Sequence, residues 1–193
     1  MKRSVVLAAL LCAGVLAGCG KQEGSADSLA GLVKDPSALA KLKDWCNANA
    51  YRILNTGDQA GYDKCNLADT AEWFVKNPDM LALVKKPEPW PGKTTAFFQA
   101  AMQADSAARL LPSQEQTDRN FKIDPTKDAV LKKYRAQIAA VPSSAIHAWQ
   151  EESEWCEAQF TWKTGHRAKD GTSFDQVSPA CTAASKVQIG GAF

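Results

Sequence analysis

Four cysteines carry the most restrictive spacing in this 193-residue chain. Cys46 lies in the phrase DWCNA (44–48) and Cys156 in EWCEA (154–158). A second cysteine follows each, Cys65 after 19 positions and Cys181 after 25. Two kinds of chemistry are open to such a set: thiolates can hold zinc, or the cysteines can pair. Compact zinc sites use closely spaced ligands, and no C-x-x-C occurs here. An even number of cysteines in an oxidising compartment pairs instead. Three pairings are possible, and the repeated phrase favours the local ones, 46–65 and 156–181. No metal is expected.

Acid–base and nucleophilic chemistry have thinner support. The two histidines are His147 and His166. His147 reads as a packed or surface residue in a helix near Ile146 and Trp149, and His166 as part of a basic loop with Arg167. Glu151, Glu152, Glu154 and Glu157 come nearest to a paired-acid site, but on a helix they read as a solvated arc. The chain contains no nucleophile elbow, no H-E-x-x-H and no phosphate loop. The expectation is therefore a protein without catalytic residues or cofactors. Tryptophans are the better candidates for function, because they are enriched where binding energy concentrates. Trp155 and Trp162 share one helix face, while Trp149 and Cys156 share another. One face is core, and the other is either packed on a neighbouring helix or open to a partner. Trp90, in the stiff stretch PEPWPG (87–92), is a third candidate. Trp90, Trp155 and Trp162 are thus the candidate partner-binding residues.

Helices must position these groups. Asp35-Pro36 is a helix start, with an N-cap and proline at the first helical position. Leu39, Leu42, Cys46, Asn49 and Ile53 then recur at helical spacing. Asp69 and Glu72 resemble a capping box for a short helix bearing Trp73 and Phe74, so Cys65 would lie near a helix start. Asn77-Pro78 starts another helix, and KPEPWPGK (86–93) ends it. Thr94 or Thr95 caps the next, which runs to about Leu110, with 112–122 as loop. Asp124-Pro125 opens a helix through Ile138. Ala145 to about Thr164 is expected to be the longest helix. Residues 163–176 read as loop, and Ser178-Pro179 caps a final short helix. No segment alternates like a strand, so the class is all-α.

Two phrases recur. LVKDPSALAKLK (32–43) matches FVKNPDMLALVK (74–85) at six positions, and DWCNA matches EWCEA. The expected architecture is a set of small helical units, each stapled by a local disulfide from the end of one helix. Such units bury too little apolar surface to stand alone.

The N-terminus supplies an address. Lys2 and Arg3 precede an apolar stretch, Val5 to Leu16, of about a dozen residues, too short for the roughly 20 that span a bilayer and suited to a secretory signal. It ends in Leu16-Ala17-Gly18-Cys19, which resembles the lipobox of bacterial lipoproteins. That resemblance implies cleavage before Cys19 and lipidation of it. Residues 1–18 are then a signal peptide, 19–28 a flexible tether, 29–92 a first helical unit, and 93–193 a second helical region with its own disulfide. The mature protein would stay on a membrane, facing the periplasm or cell surface. Gly20 in place of an acid points to the outer membrane. Removing Lys2 and Arg3 takes the 23 basic residues to 21, against 21 acids. A net charge near zero argues against nucleic acid as a partner.

Residues 33–72 resemble the EexN-type entry-exclusion lipoproteins of conjugative elements. Asp35-Pro36, Leu39, Leu42, Cys46, Asn49, Cys65, Asn66 and Ala68 occupy the matching places. AEWFVKNPDML (71–81) and SPACTAAS (178–185) look like that family's opening and closing. The chain is about twice the usual length for the family, and 94–150 has no counterpart. The resemblance implies a binding protein that blocks uptake of a redundant element by engaging a protein such as a secretion-channel component. A periplasmic immunity or enzyme-inhibitor lipoprotein is the alternative. A structural lipoprotein of an envelope complex is a third reading.

Overall fold

A computed structural model describes residues 28–167 and 173–187. Cys19 and the tether as far as Asp27 lie outside the described residues, as does the middle of the expected 163–176 loop. Among the described residues there are eight α-helices and no strand: α1 (Leu29–Lys34), α2 (Pro36–Thr56), α3 (Gln59–Lys76), α4 (Pro78–Leu83), α5 (Thr95–Phe121), α6 (Ala129–Ala139), α7 (Ala148–Thr164) and α8 (Pro179–Ser185). The all-α class is as the sequence indicates. Both local disulfides are present, Cys46–Cys65 and Cys156–Cys181, each with Cα atoms 5.6 Å apart. A closed loop of about 20 residues removes roughly 3 kcal/mol of unfolded-state entropy. Disulfides of this kind belong to an oxidising, extracytoplasmic compartment. No described helix is long and apolar enough to cross a membrane.

Local capping explains most boundaries. The Asp35 carboxylate accepts from the Ser37 and Ala38 N–H groups and starts α2. Thr94 Oγ1 accepts from Phe97 N and starts α5. Ser178 Oγ accepts from Cys181 N and starts α8. Asn77 behaves differently from Asp35. Its side-chain amide donates to Trp73 O and finishes α3, leaving α4 without a side-chain cap.

Several sequence expectations need correction. Asp69 and Glu72 cap nothing, because α3 already begins at Gln59 after Gly57 and the N-cap Asp58. The three-residue spacing instead puts both carboxylates on one face, where Lys43 of α2 reaches them at 2.9 and 2.6 Å. Cys65 is consequently inside α3 rather than at a helix start, and Cys46 is mid-way along α2 rather than at its end. Residues 112–121 are helix: α5 continues through Pro112 for 27 residues and is the longest described helix. Packing along α6 outweighs the proline penalty of about 3 kcal/mol. Asp124-Pro125 forms a turn, with Asp124 accepting from Thr126, and Asp128 caps α6. The stretch expected as one helix from Ala145 begins as a 3-10 turn (Ser143–Ala145), and α7 starts at Ala148 with His147 as its N-cap residue.

The core lies in connected clusters. Leu29, Leu32, Leu39, Ala68, Ala71 and Phe74 join α1, α2 and α3. Trp162 of α7 closes on Phe74 edge-to-face, with ring centroids 5.4 Å apart. Ala101, Ala104, Ala145 and Ala148 bring α5 against the start of α7. Phe98, Ala180 and Ala184 join α5 to α8. Small residues at these crossings let helix backbones approach closely, and burying Phe74 and Phe98 contributes about 1.5–3 kcal/mol each. α7 is the common strut, meeting α5 at its N-terminal end and α3 at its C-terminal end.

Candidate functional site

One acid of α7, Glu152, departs from the expected solvated arc. Glu152 is 0% exposed, whereas Glu151 and Glu154 face solvent. Burial is the principal force on Glu152, and contact with the Glu88 side chain adds to it; together they push its carboxyl up to about 7 from an ordinary 4.5. Glu152 Oε2 accepts from Trp90 N at 3.0 Å. Glu88 in turn accepts from Ser178 Oγ. Glu152 Oε1 lies 3.6 Å from Cys156 Sγ and 3.9 Å from Cys181 Sγ. Those sulfurs are bonded to each other. They have no proton to donate and no thiolate for a metal, although the three ligand atoms lie within 4.8 Å. Glu152 is buried against the disulfide, while Glu88 is half-buried in the loop. Through the Trp90 N–H held by Glu152 and the Ser178 hydroxyl held by Glu88, the 86–93 loop is tied to α7 and to the cap of α8.

The tryptophan candidates pack within the chain. Trp155 is 8% exposed, and its indole N–H donates to Lys86 O at 2.9 Å. Trp162 is half-buried on Phe74. Trp90 is half-buried beside Phe97, and its indole N–H donates to Glu151 Oε2 at 2.7 Å. Trp149 likewise donates to Ala184 O. His147 is exposed and sets Nδ1 3.1 Å from Asp105 Oδ1, while Arg109 holds the other oxygen of that carboxylate.

Open surface occurs on the α2–α3 hairpin. Tyr51 is 83% exposed, Leu54 74% and Tyr62 47%. Tyr51 is two residues from the buried Ile53, about 200° around the helix, so its outward position was available from the α2 ladder. Tyr62 also lines a groove of about 560 Å³ along α3. Gln59, Tyr62, Asn66 and Trp73 form its floor at helical spacing, and Phe160 with the His166–Arg167 segment forms its wall. The Arg167 guanidinium stands over Trp73, 5.1 Å from the ring centre. Thr70 Oγ1 donates to Gly165 O at 2.7 Å and fixes that wall against α3. Gly61 permits the tight hairpin behind it, because a Cβ there would lie 2.8 Å from Ile53 Cγ1. The groove has the mixed aromatic and polar lining of a recognition surface.

No family model matches this chain, and neither a curated protein nor a solved structure matches it.

Proposed function

We propose that this chain is a lipid-anchored envelope protein that acts by binding, and that its task is entry exclusion against a related conjugative element. Lipidation at Cys19 would hold the mature chain on the membrane, facing the periplasm or cell surface. The partner would be a protein on that side, such as a component of the incoming transfer channel. The observation that carries the reading is the α2–α3 face. The segment resembling the exclusion family, 33–72, is also the segment that leaves Tyr51, Leu54 and Tyr62 outside the core. A binding role needs that exposed apolar surface on a rigid support. The Cys46–Cys65 bridge supplies rigidity by joining α2 to α3.

The test is transfer frequency into recipients expressing the protein. Wild type should lower transfer in proportion to its copy number, because blocking by occupancy is stoichiometric. Tyr51→Ala should weaken the block, with a loss of about 2 kcal/mol in affinity if it is an anchor, while circular dichroism stays unchanged. Cys19→Ser should abolish both the membrane fractionation that survives a high-salt wash and the block. If wild type lowers transfer of no related element, exclusion is refuted and the immunity or inhibitor reading replaces it.

A further inference from the structure

The α5–α6 hairpin is an arm. α6 makes the most extensive helix pairing in the fold, and it makes it with α5. Beyond Ala107 the one buried residue of α5 is Asp118. A polar lock holds the arm there: Gln114 Nε2 donates to Asp118 Oδ1 at 3.1 Å and to Asp128 Oδ2 at 3.0 Å. Leu131 of α6 is buried as well, whereas the other large apolar side chains near the turn are not. Phe121 is 75% exposed, and Ile123 and Val130 are exposed as well. Lys122, in the left-handed conformation (φ 54°), ends α5 between Phe121 and Ile123.

The charge around this apolar tip is mostly positive. Arg119, Lys122, Lys127 and Lys132 are all exposed. Between 115 and 135 there are six basic residues and four acids. Three of the acids are engaged: Asp118 is buried, Asp128 caps α6, and Glu115 meets Arg135 at 3.3 Å. Asp124 is the remaining one. Its carboxylate accepts from Thr126, and Lys127 stands 3.9 Å away. Protein interfaces deplete charge, lysine above all, at their apolar centres. A bilayer offers the complementary order, with anionic phosphates above an apolar interior.

We propose that the tip of this arm is a contact site for an anionic phospholipid surface. Phe121 and Ile123 enter the headgroup boundary, and Arg119, Lys122, Lys127 and Lys132 meet the phosphates. Two apolar side chains with four cations give a weak, reversible attachment that orients an already tethered protein.

The experiment uses the oxidised mature chain with Cys19→Ser, so that no lipid is attached, floated with vesicles. The chain should float with phosphatidylglycerol-containing vesicles and stay behind with phosphatidylcholine alone, and high salt should release it. Phe121→Ser together with Ile123→Ser should lower the bound fraction about tenfold. Lys122→Gln with Lys127→Gln should lower it by a similar factor. These side chains are exposed, so circular dichroism should not change. Tyr51→Ala should float like wild type, which separates this site from the α2–α3 face and from the fate of the exclusion reading. Absence of flotation, equal flotation with neutral vesicles, or an unchanged Phe121 and Ile123 double variant would each overturn the proposal. The first outcome would leave the apolar tip to a protein partner, and the last two would place lipid binding on other forces or another surface.

Discussion

Replacing Glu152 with Gln should remove a pH dependence from the stability of the fold. The carboxyl of Glu152 stands at about 7 in the folded chain against an ordinary 4.5. A raised carboxyl favours the protonated folded state. The stability it contributes is complete below about 4.5, declines as pH rises, and is lost above about 7. The difference is roughly 2.5 pH units at about 1.4 kcal/mol each, which sets a ceiling of about 3.5 kcal/mol, with about 2.5 kcal/mol of it lost between pH 5 and pH 8. For a chain of this size that corresponds to a fall in Tm of about 5–10 °C between pH 5 and pH 8. Gln keeps the length and its oxygen can accept from Trp90 N, but it has no carboxyl to ionise. Glu152→Gln should therefore be nearly level with wild type at pH 5 and more stable at pH 8. Asp118 acts in the same direction, since burial first and Asp128 second push its carboxyl up, so Asp118→Asn is the companion variant. The carboxylates of Asp58 and Asp124 are shifted downward and act only at lower pH. Thermal melts across pH 5–8 decide the matter. A flat wild-type profile, or an unchanged slope in Glu152→Gln, would refute a raised carboxyl at this site.

Mild reduction by a dithiol should open Cys46–Cys65 before Cys156–Cys181, because the first pair is partly exposed while Cys156 is 1% and Cys181 0% exposed. Timed alkylation and peptide mapping would show the order, and the reverse order would refute the burial argument. Pro112→Ala should raise stability by about 1–3 kcal/mol, since it restores a backbone donor inside α5; denaturant unfolding that shows no gain would mean that the helix is not continuous through that position.

The legible parts of this fold were local. Asp35-Pro36, Thr94 and Ser178-Pro179 announce helix starts because capping is settled within three residues. The disulfides were legible because each joins consecutive cysteines. Long-range packing hid the rest. Pro112 looked like a terminus because only the contact with α6 outweighs it. Glu152 looked exposed because α7 has no clean apolar stripe: Ala148, Glu152, Trp155, Cys156, Ala158 and Thr161 are buried around much of its circumference. A helix covered on several sides loses the periodicity that separates inside from outside. The Asp69 and Glu72 pair shows a different limit, since one spacing serves a capping box and a two-point grip on Lys43 equally well. Gly57-Asp58 was the better stop-and-start signal for that hairpin. On the candidate site, Tyr51 could have been found from its place opposite Ile53, whereas the groove wall at His166 and Arg167 depends on α7 arriving from far along the chain.

The order of the bridges bears on biogenesis. A chain threaded across the membrane from its N-terminus presents Cys46 and Cys65 long before Cys156 and Cys181. With Cys19 taken up by lipid as proposed, an oxidase that joins cysteines as they emerge would make Cys46–Cys65 first and Cys156–Cys181 second, which are the native pairs. No wrong bridge needs to be reshuffled along that route, so maturation should require an oxidant and no disulfide isomerase. The α2–α3 hairpin can also be closed and rigid while the second half of the chain is still in transit.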